Sequence, residues 1–167
     1  MASARKYARD TDVPVTKTKT EIEQVLIRFG CSRFGTMIEE RRAAIVFEHH
    51  DLRYRMILPL TVIGDHMKRE DGAFLSTNLR QPSMDAEHRR RWRSLYLVLK
   101  AILVGVDDGI LTMEEALLSF LVLPTGETIG EQVIPNIRRT AQTGELPPMV
   151  AGLPTGKVIA LGSRTGT

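Results

Sequence analysis

The chain has 167 residues, about the length of one domain, and its 43% hydrophobic and 26% charged content is that of a globular protein with a core. The net charge is +3 and the pI about 9.2, which admits an anionic partner without requiring one. One cysteine, Cys31, rules out an internal disulfide. The greasiest run, Leu95 to Val106, is interrupted by Lys100 and falls short of the about 20 apolar residues that cross a bilayer.

"MASARKYARD" has no apolar signal core, so a cytoplasmic protein without membrane contact is expected. Residues 1–12, with Arg5, Lys6 and Arg9, read as a flexible basic arm, and Val13 to Thr16 as a short strand. "TKTEIEQVLIRFG" reads as a helix. Thr18 and Glu21 have capping-box spacing, Ile22, Val25, Leu26 and Phe29 share one face, and Gly30 suits a left-handed ending.

An antiparallel meander follows, with strands near Arg33–Ile38, Arg42–Glu48 and Leu52–Leu58. In the third, Leu52, Tyr54, Met56 and Leu58 alternate with Arg53, Arg55 and Ile57. One face is therefore core, and the other presents Arg53 and Arg55. Pro59 cannot donate to a ladder and ends the strand. Residues 60–83 are polar and read as a long loop.

The main helix is expected from about Asp85 to Asp107, closed by Gly109, with Trp92, Leu95, Leu99, Ile102, Leu103 and Val106 as its apolar stripe. Arg89, Arg90, Arg91 and Arg93 then stand near its N-terminus, where the macrodipole is already positive. Asp85 and Glu87 from within, or a bound anion from outside, would resolve that conflict. Thr112 and Glu115 cap a third helix carrying Met113, Ala116, Leu117 and Phe120. "LVLPTGE" reads as a short strand and turn, and "TIGEQVIPNIRRTAQTG" as a final helix bent at Pro135 or as two short ones. The expected fold is α+β, with a small antiparallel sheet of three to four strands packed on a long central helix with two or three further helices. It would span residues 13–144, ahead of a Gly/Pro-rich disordered tail at 145–167.

No phosphate-binding glycine loop and no GxSxG elbow is present. Cys31 reads as a plain thiol. His49 and His50 are neighbours on a strand and should point to opposite faces, which is poor geometry for a shared ion, so "EHHD" reads as a polar turn. Asp65, Lys68, Glu70 and Asp71 match no nuclease pattern, Asp107 and Asp108 look like turn formers, and Glu114 and Glu115 suit a helix's first turn. No catalytic residue, metal ligand or cofactor is expected. The basic residues remain: Arg89, Arg93 and Lys100 share roughly one helix face, Arg90 and Arg91 flank them, and Arg53 and Arg55 extend the surface. Forked guanidinium bonds to phosphate are the chemistry such residues offer.

"RRRWRSLYLVLKAILVGVDDGILTMEEALLSFLVLPTGETIG" resembles a widespread family of small phage and prophage proteins. In that family a strand ending Arg-x-x-Leu-Pro precedes an RxRWR helix with a later lysine, then an acidic helix and an LP-x-G-x-T-hydrophobic-G segment. The matching positions are Arg55, Leu58, Pro59, Arg91, Trp92, Arg93, Lys100, Glu115, Leu123, Pro124, Gly126, Thr128 and Gly130, within a likeness over roughly residues 5–150. "ILVGVDDG" is less charged than the family pattern. The resemblance implies a viral or mobile-element origin, hence the host-cell cytoplasm, and brings no established activity.

Two readings follow. The first is a non-catalytic accessory protein contacting DNA or RNA phosphates through Arg53, Arg55, Arg89, Arg90, Arg93 and Lys100. The alternative is an inhibitor or adaptor that binds a host protein such as a defence component. A homo-oligomer built on the greasy helix is left open.

Overall fold

The computed structural model describes residues 11–69 and 71–144; most of the basic arm, Glu70 and the tail from 145 lie outside the described residues. Helix α1 (Val15–Arg28) leads into strands β1 (Ser32–Ile38), β2 (Arg42–His49) and β3 (Leu52–Pro59). A single 3-10 turn at Ile63–His66 precedes helix α2 (Thr77–Asp107). Helix α3 (Met113–Leu117), a second 3-10 turn (Leu118–Phe120) and helix α4 (Ile129–Thr143) complete the chain. The architecture is α+β, as the hydrophobic pattern predicts.

The sheet is antiparallel with order β1-β2-β3. Cross-strand pairs Ala43↔Leu58, Ile45↔Met56 and Phe47↔Tyr54 bring one face together, and all six side chains are buried. Against them pack Ile22 and Leu26 of α1, Trp92, Leu95, Leu99 and Leu103 of α2, and Met113 and Leu117 of α3. The alternation in β3 holds: Tyr54, Met56 and Leu58 face the core, while Arg53 and Ile57 are exposed on the far side. "LVLPTGE" adds only isolated bridges, Tyr54↔Leu121 and Val122↔Thr128, rather than a fourth strand.

Three expectations need correction. Val15 and Thr16 belong to α1, not to a strand. That helix is entered through Pro14, and Thr18 lies inside it, buried, with no cap bond from its hydroxyl. Proline is at home just before a helix, since its missing N–H would have no partner there.

The largest correction concerns α2. It starts at Thr77, and Pro82 is inside it. The segment before it is not a structureless loop. His66 sits between the Ser83 and Thr61 hydroxyls, each 2.9 Å from a ring nitrogen, and His88 Nε2 lies 2.7 Å from the Thr61 carbonyl. Arg91 donates to the Pro59 carbonyl at 2.8 Å. These bonds fasten residues 59–66 along α2. The arginine cluster therefore lies mid-helix. The macrodipole acts within the first and last turns, so the conflict expected at the helix start does not arise.

The remaining ends behave as their residues demand. Gly30, Gly109 and Gly144 have positive φ after α1, α2 and α4. Thr112–Glu115 and Thr128–Glu131 form reciprocal capping boxes on α3 and α4. Helix α4 runs unbroken through Pro135.

Candidate functional site

The six basic residues do not converge on one open surface. Arg53 donates to Glu48 at 2.9 and 3.1 Å, and Arg33 pairs with the same carboxylate at 3.0 Å. Arg55 donates to Glu131 of α4 at 2.7 Å and to the Gly126 carbonyl at 2.9 Å. Arg89 donates to the Thr11 carbonyl at 3.3 Å and lines a cleft with Asp12 and Asp85. Arg90 forks onto Glu87 at 2.6 and 2.8 Å, and Arg91 joins it at 2.8 Å. Arg93 reaches across to Glu21 of α1 and stacks over Tyr96, 4.6 Å from the ring centroid. Lys100 is exposed.

Glu87 thus offsets part of the charge of the arginine cluster from within, by pairing with Arg90 and Arg91. Asp85 does not, because it accepts from Gln81 at 2.9 Å instead. Hydrogen bonds from Arg90 hold the Glu87 carboxyl down at about 2, with Arg91 adding to the effect and burial opposing it. Two of these clusters keep a surplus cation: Glu48 serves Arg33 and Arg53, and Glu87 serves Arg90 and Arg91.

The residues of the Arg-x-x-Leu-Pro, RxRWR and LP-x-G-x-T segments have physical duties in the fold. Gly126, at φ 87, makes the turn in which the Gly126 amide bonds the Leu123 carbonyl. Thr128 is the buried cap of α4. Gly130 lies so close to the 3-10 turn that a Cβ there would sit 2.7 Å from the Ser119 carbonyl oxygen. Arg55 clamps this assembly onto β3. Trp92 is core, and Glu115 caps α3.

An apolar groove opens between the outer sheet face and α4. It has a volume of about 460 Å³ and is lined by Ile57, Phe120, Ile134 and Pro135, with Arg55, Thr128 and Glu131 at its polar edge. The Ile134 and Ile137 side chains are 46% and 51% exposed along the same helix. Sequence reading missed this groove because it forms between strands and a helix some 75 residues apart, as the Arg55–Glu131 separation of 76 shows.

Asp65 and Asp71 are each engaged within their own loops and turns. Asp65 accepts from the Val62 amide and faces Arg41, while Asp71 accepts from the Ala73 amide. Cys31 is buried, and desolvation pushes its thiol up to about 11, leaving it protonated at neutral pH.

The turn expected at "EHHD" is present, but the two histidines are not held on opposite faces. His50 and Asp51 form the two-residue β2–β3 loop, and both have positive φ, 46° and 64°, the pattern of a type I′ turn. His50 has therefore left the strand, and strand alternation no longer separates it from His49. The two rings stand 4.0 Å apart between centroids. Glu114, in the first turn of α3, brings an Oε1 atom 4.0 Å from His49 Nδ1. Burial first, and His50 next, lower the His49 pKa, with Glu114 opposing them.

This is a small α+β protein in which four of the six candidate cations, Arg53, Arg55, Arg90 and Arg93, pair with carboxylates, and which also carries an apolar groove and a histidine–carboxylate cluster. No family model, no curated protein and no solved structure matches the chain.

Proposed function

We propose that the protein is a non-catalytic binding module that accepts an amphipathic segment of another protein in the groove beside α4. The observation that carries this reading is the apolar lining of Ile57, Phe120 and Ile134, continued by Ile137 and left open to solvent. An amphipathic helix laid into such a groove is a common recognition mode. The polar edge, Arg55 with Glu131, fits the polar rim of such an interface. In the setting the motif resemblance implies, the partner would be a host protein, and the chain an inhibitor or adaptor.

A photo-crosslinking residue in place of Ile137 tests this in nuclease-treated host lysate. The expected result is a discrete protein adduct that Ile57→Asp abolishes. Adducts that vanish with nuclease, or that ignore Ile57→Asp, would count against a protein partner.

A second reading, phosphate binding to DNA or RNA, is favoured by the surplus cations on Glu48 and Glu87. Direct phosphate contact then requires guanidiniums to exchange their carboxylate partners, so removing a carboxylate should help. Glu48→Gln is expected to strengthen binding of a labelled oligonucleotide in low salt, and Arg53→Ala to weaken it while lowering the salt slope. Fluorescence polarisation across a salt series reads both, and no binding in low salt would remove this reading.

A further inference from the structure

We propose that His49, His50 and Glu114 form a binding site for a zinc-class divalent ion, with one coordination position left to solvent. The ligand atoms of the three residues all lie within 4.8 Å of one another. Donors about 2.0 Å from a tetrahedral ion stand about 3.3 Å apart, so closure needs movement of roughly 1–1.5 Å in the donor atoms.

The donor types select the ion. Two imidazoles and one carboxylate suit a borderline metal such as zinc, whereas calcium and magnesium ask for oxygen ligands throughout. Three protein ligands of this kind leave the fourth position for water or an anionic group. The side at which it would lie is accessible, because His50 is exposed and the Glu114 side chain is 46% exposed.

A second observation points the same way. His49 Nδ1 is shielded from solvent and has no hydrogen-bond partner, and its 4.0 Å separation from Glu114 Oε1 is too long for a hydrogen bond. Two donors facing each other at that spacing, with nothing bonded between them, suit an ion seated between them. The turn adds to the case. A type I′ loop favours Asn-Gly, yet this one holds His50 and Asp51 at positive φ, and the conformation lays the His50 ring beside His49. The ion would pin the five-residue α3 to the tip of the β2–β3 hairpin. The inference is independent of the partner reading, since the groove residues take no part in it.

The test uses the full-length chain stripped of metal. Calorimetric titration with Zn²⁺ is expected to give one ion per chain, Co²⁺ to give the intense visible absorption of low-coordinate cobalt, and Zn²⁺ to raise the Tm. Glu114→Gln and His50→Asn should each weaken zinc binding by more than roughly 100-fold, beyond the loss usual for outer-shell partners. His50→Asn also separates ligation from folding, because asparagine suits the positive φ. Its metal-free Tm should equal or exceed that of the parent while the zinc-induced rise disappears. An absent 1:1 titration, or zinc affinity unchanged in both variants, would overturn the site. Equal affinity for Mg²⁺ or Ca²⁺ would overturn the assignment of ion class.

Discussion

Glu87 sets the charge balance of the central helix, and its titration gives that role a measurable form. It accepts bonds from Arg90 and Arg91, and its side chain is only 17% exposed. Its folded pKa of about 2 lies below the ordinary 4.5. The stabilisation is therefore complete above pH 4.5 and is lost as pH falls through 2. A shift of this size corresponds to roughly 3 kcal/mol. Glu87→Gln should cost about that much at pH 7 in urea unfolding, and the gap from the parent should close as pH approaches 2. Thr18 offers the opposite case. Its spacing to Glu21 suggests a cap, and a cap replaced by an apolar residue costs about 1 kcal/mol. In the structure its hydroxyl is buried without a partner, and Glu21 is engaged by Arg93. Thr18→Val keeps the shape and removes the unmatched hydroxyl, so stability should rise by about 0.5–1 kcal/mol. Thermal unfolding reads the sign directly, and a loss would restore the capping role.

Among elements, α4 depends on one close approach. Gly130 meets the Ser119 carbonyl, and backbone cannot yield as a flexible side chain would. Gly130→Ala should destabilise by about 1–3 kcal/mol, the usual cost of overpacking, and lower the helical circular dichroism of α4 before global unfolding. The strands were legible because period-two alternation in β3 and turn residues at either end leave one arrangement. The start of α2 was not. Pro82 and the polar residues Asn78, Gln81 and Ser83 carry loop-like signals, and part of what holds that turn in place is tertiary, His66 against Ser83, beside the local bond of Arg80 onto the Leu75 carbonyl. The site was harder still. Whether an arginine is free depends on carboxylates distant in sequence, such as Glu21 for Arg93, 72 residues away, and Glu131 for Arg55, 76 away. Local spacing carries no trace of these pairs. His49 and His50 failed for a different reason, since the alternation rule stops at the residue where φ turns positive.

Across the whole molecule, burial is uneven, and the proposed docking face lies on a sparsely buried helix. Helix α2 sends Trp92, Leu95, Leu99 and Leu103 into the core, while Val98 and Val104 stay exposed. In α4 the one buried residue is a glycine, and Ile134 and Ile137 remain exposed. The helix is held by the 3-10 turn at 118–120, by its Thr128 cap and by the Arg55 clamp. Local opening free energy follows buried apolar contact, so α4 should open without the rest of the fold. Native-state hydrogen exchange is expected to show α2 and β2 amides protected to the global limit and α4 amides well below it. Arg55→Ala should cut α4 protection by a further tenfold or so, about 1.4 kcal/mol, and leave α2 unchanged. Equal protection in α2 and α4 would mean that α4 folds as part of the core. The groove would then be a rigid slot, whereas a separately opening α4 can adjust its apolar face to the segment it receives.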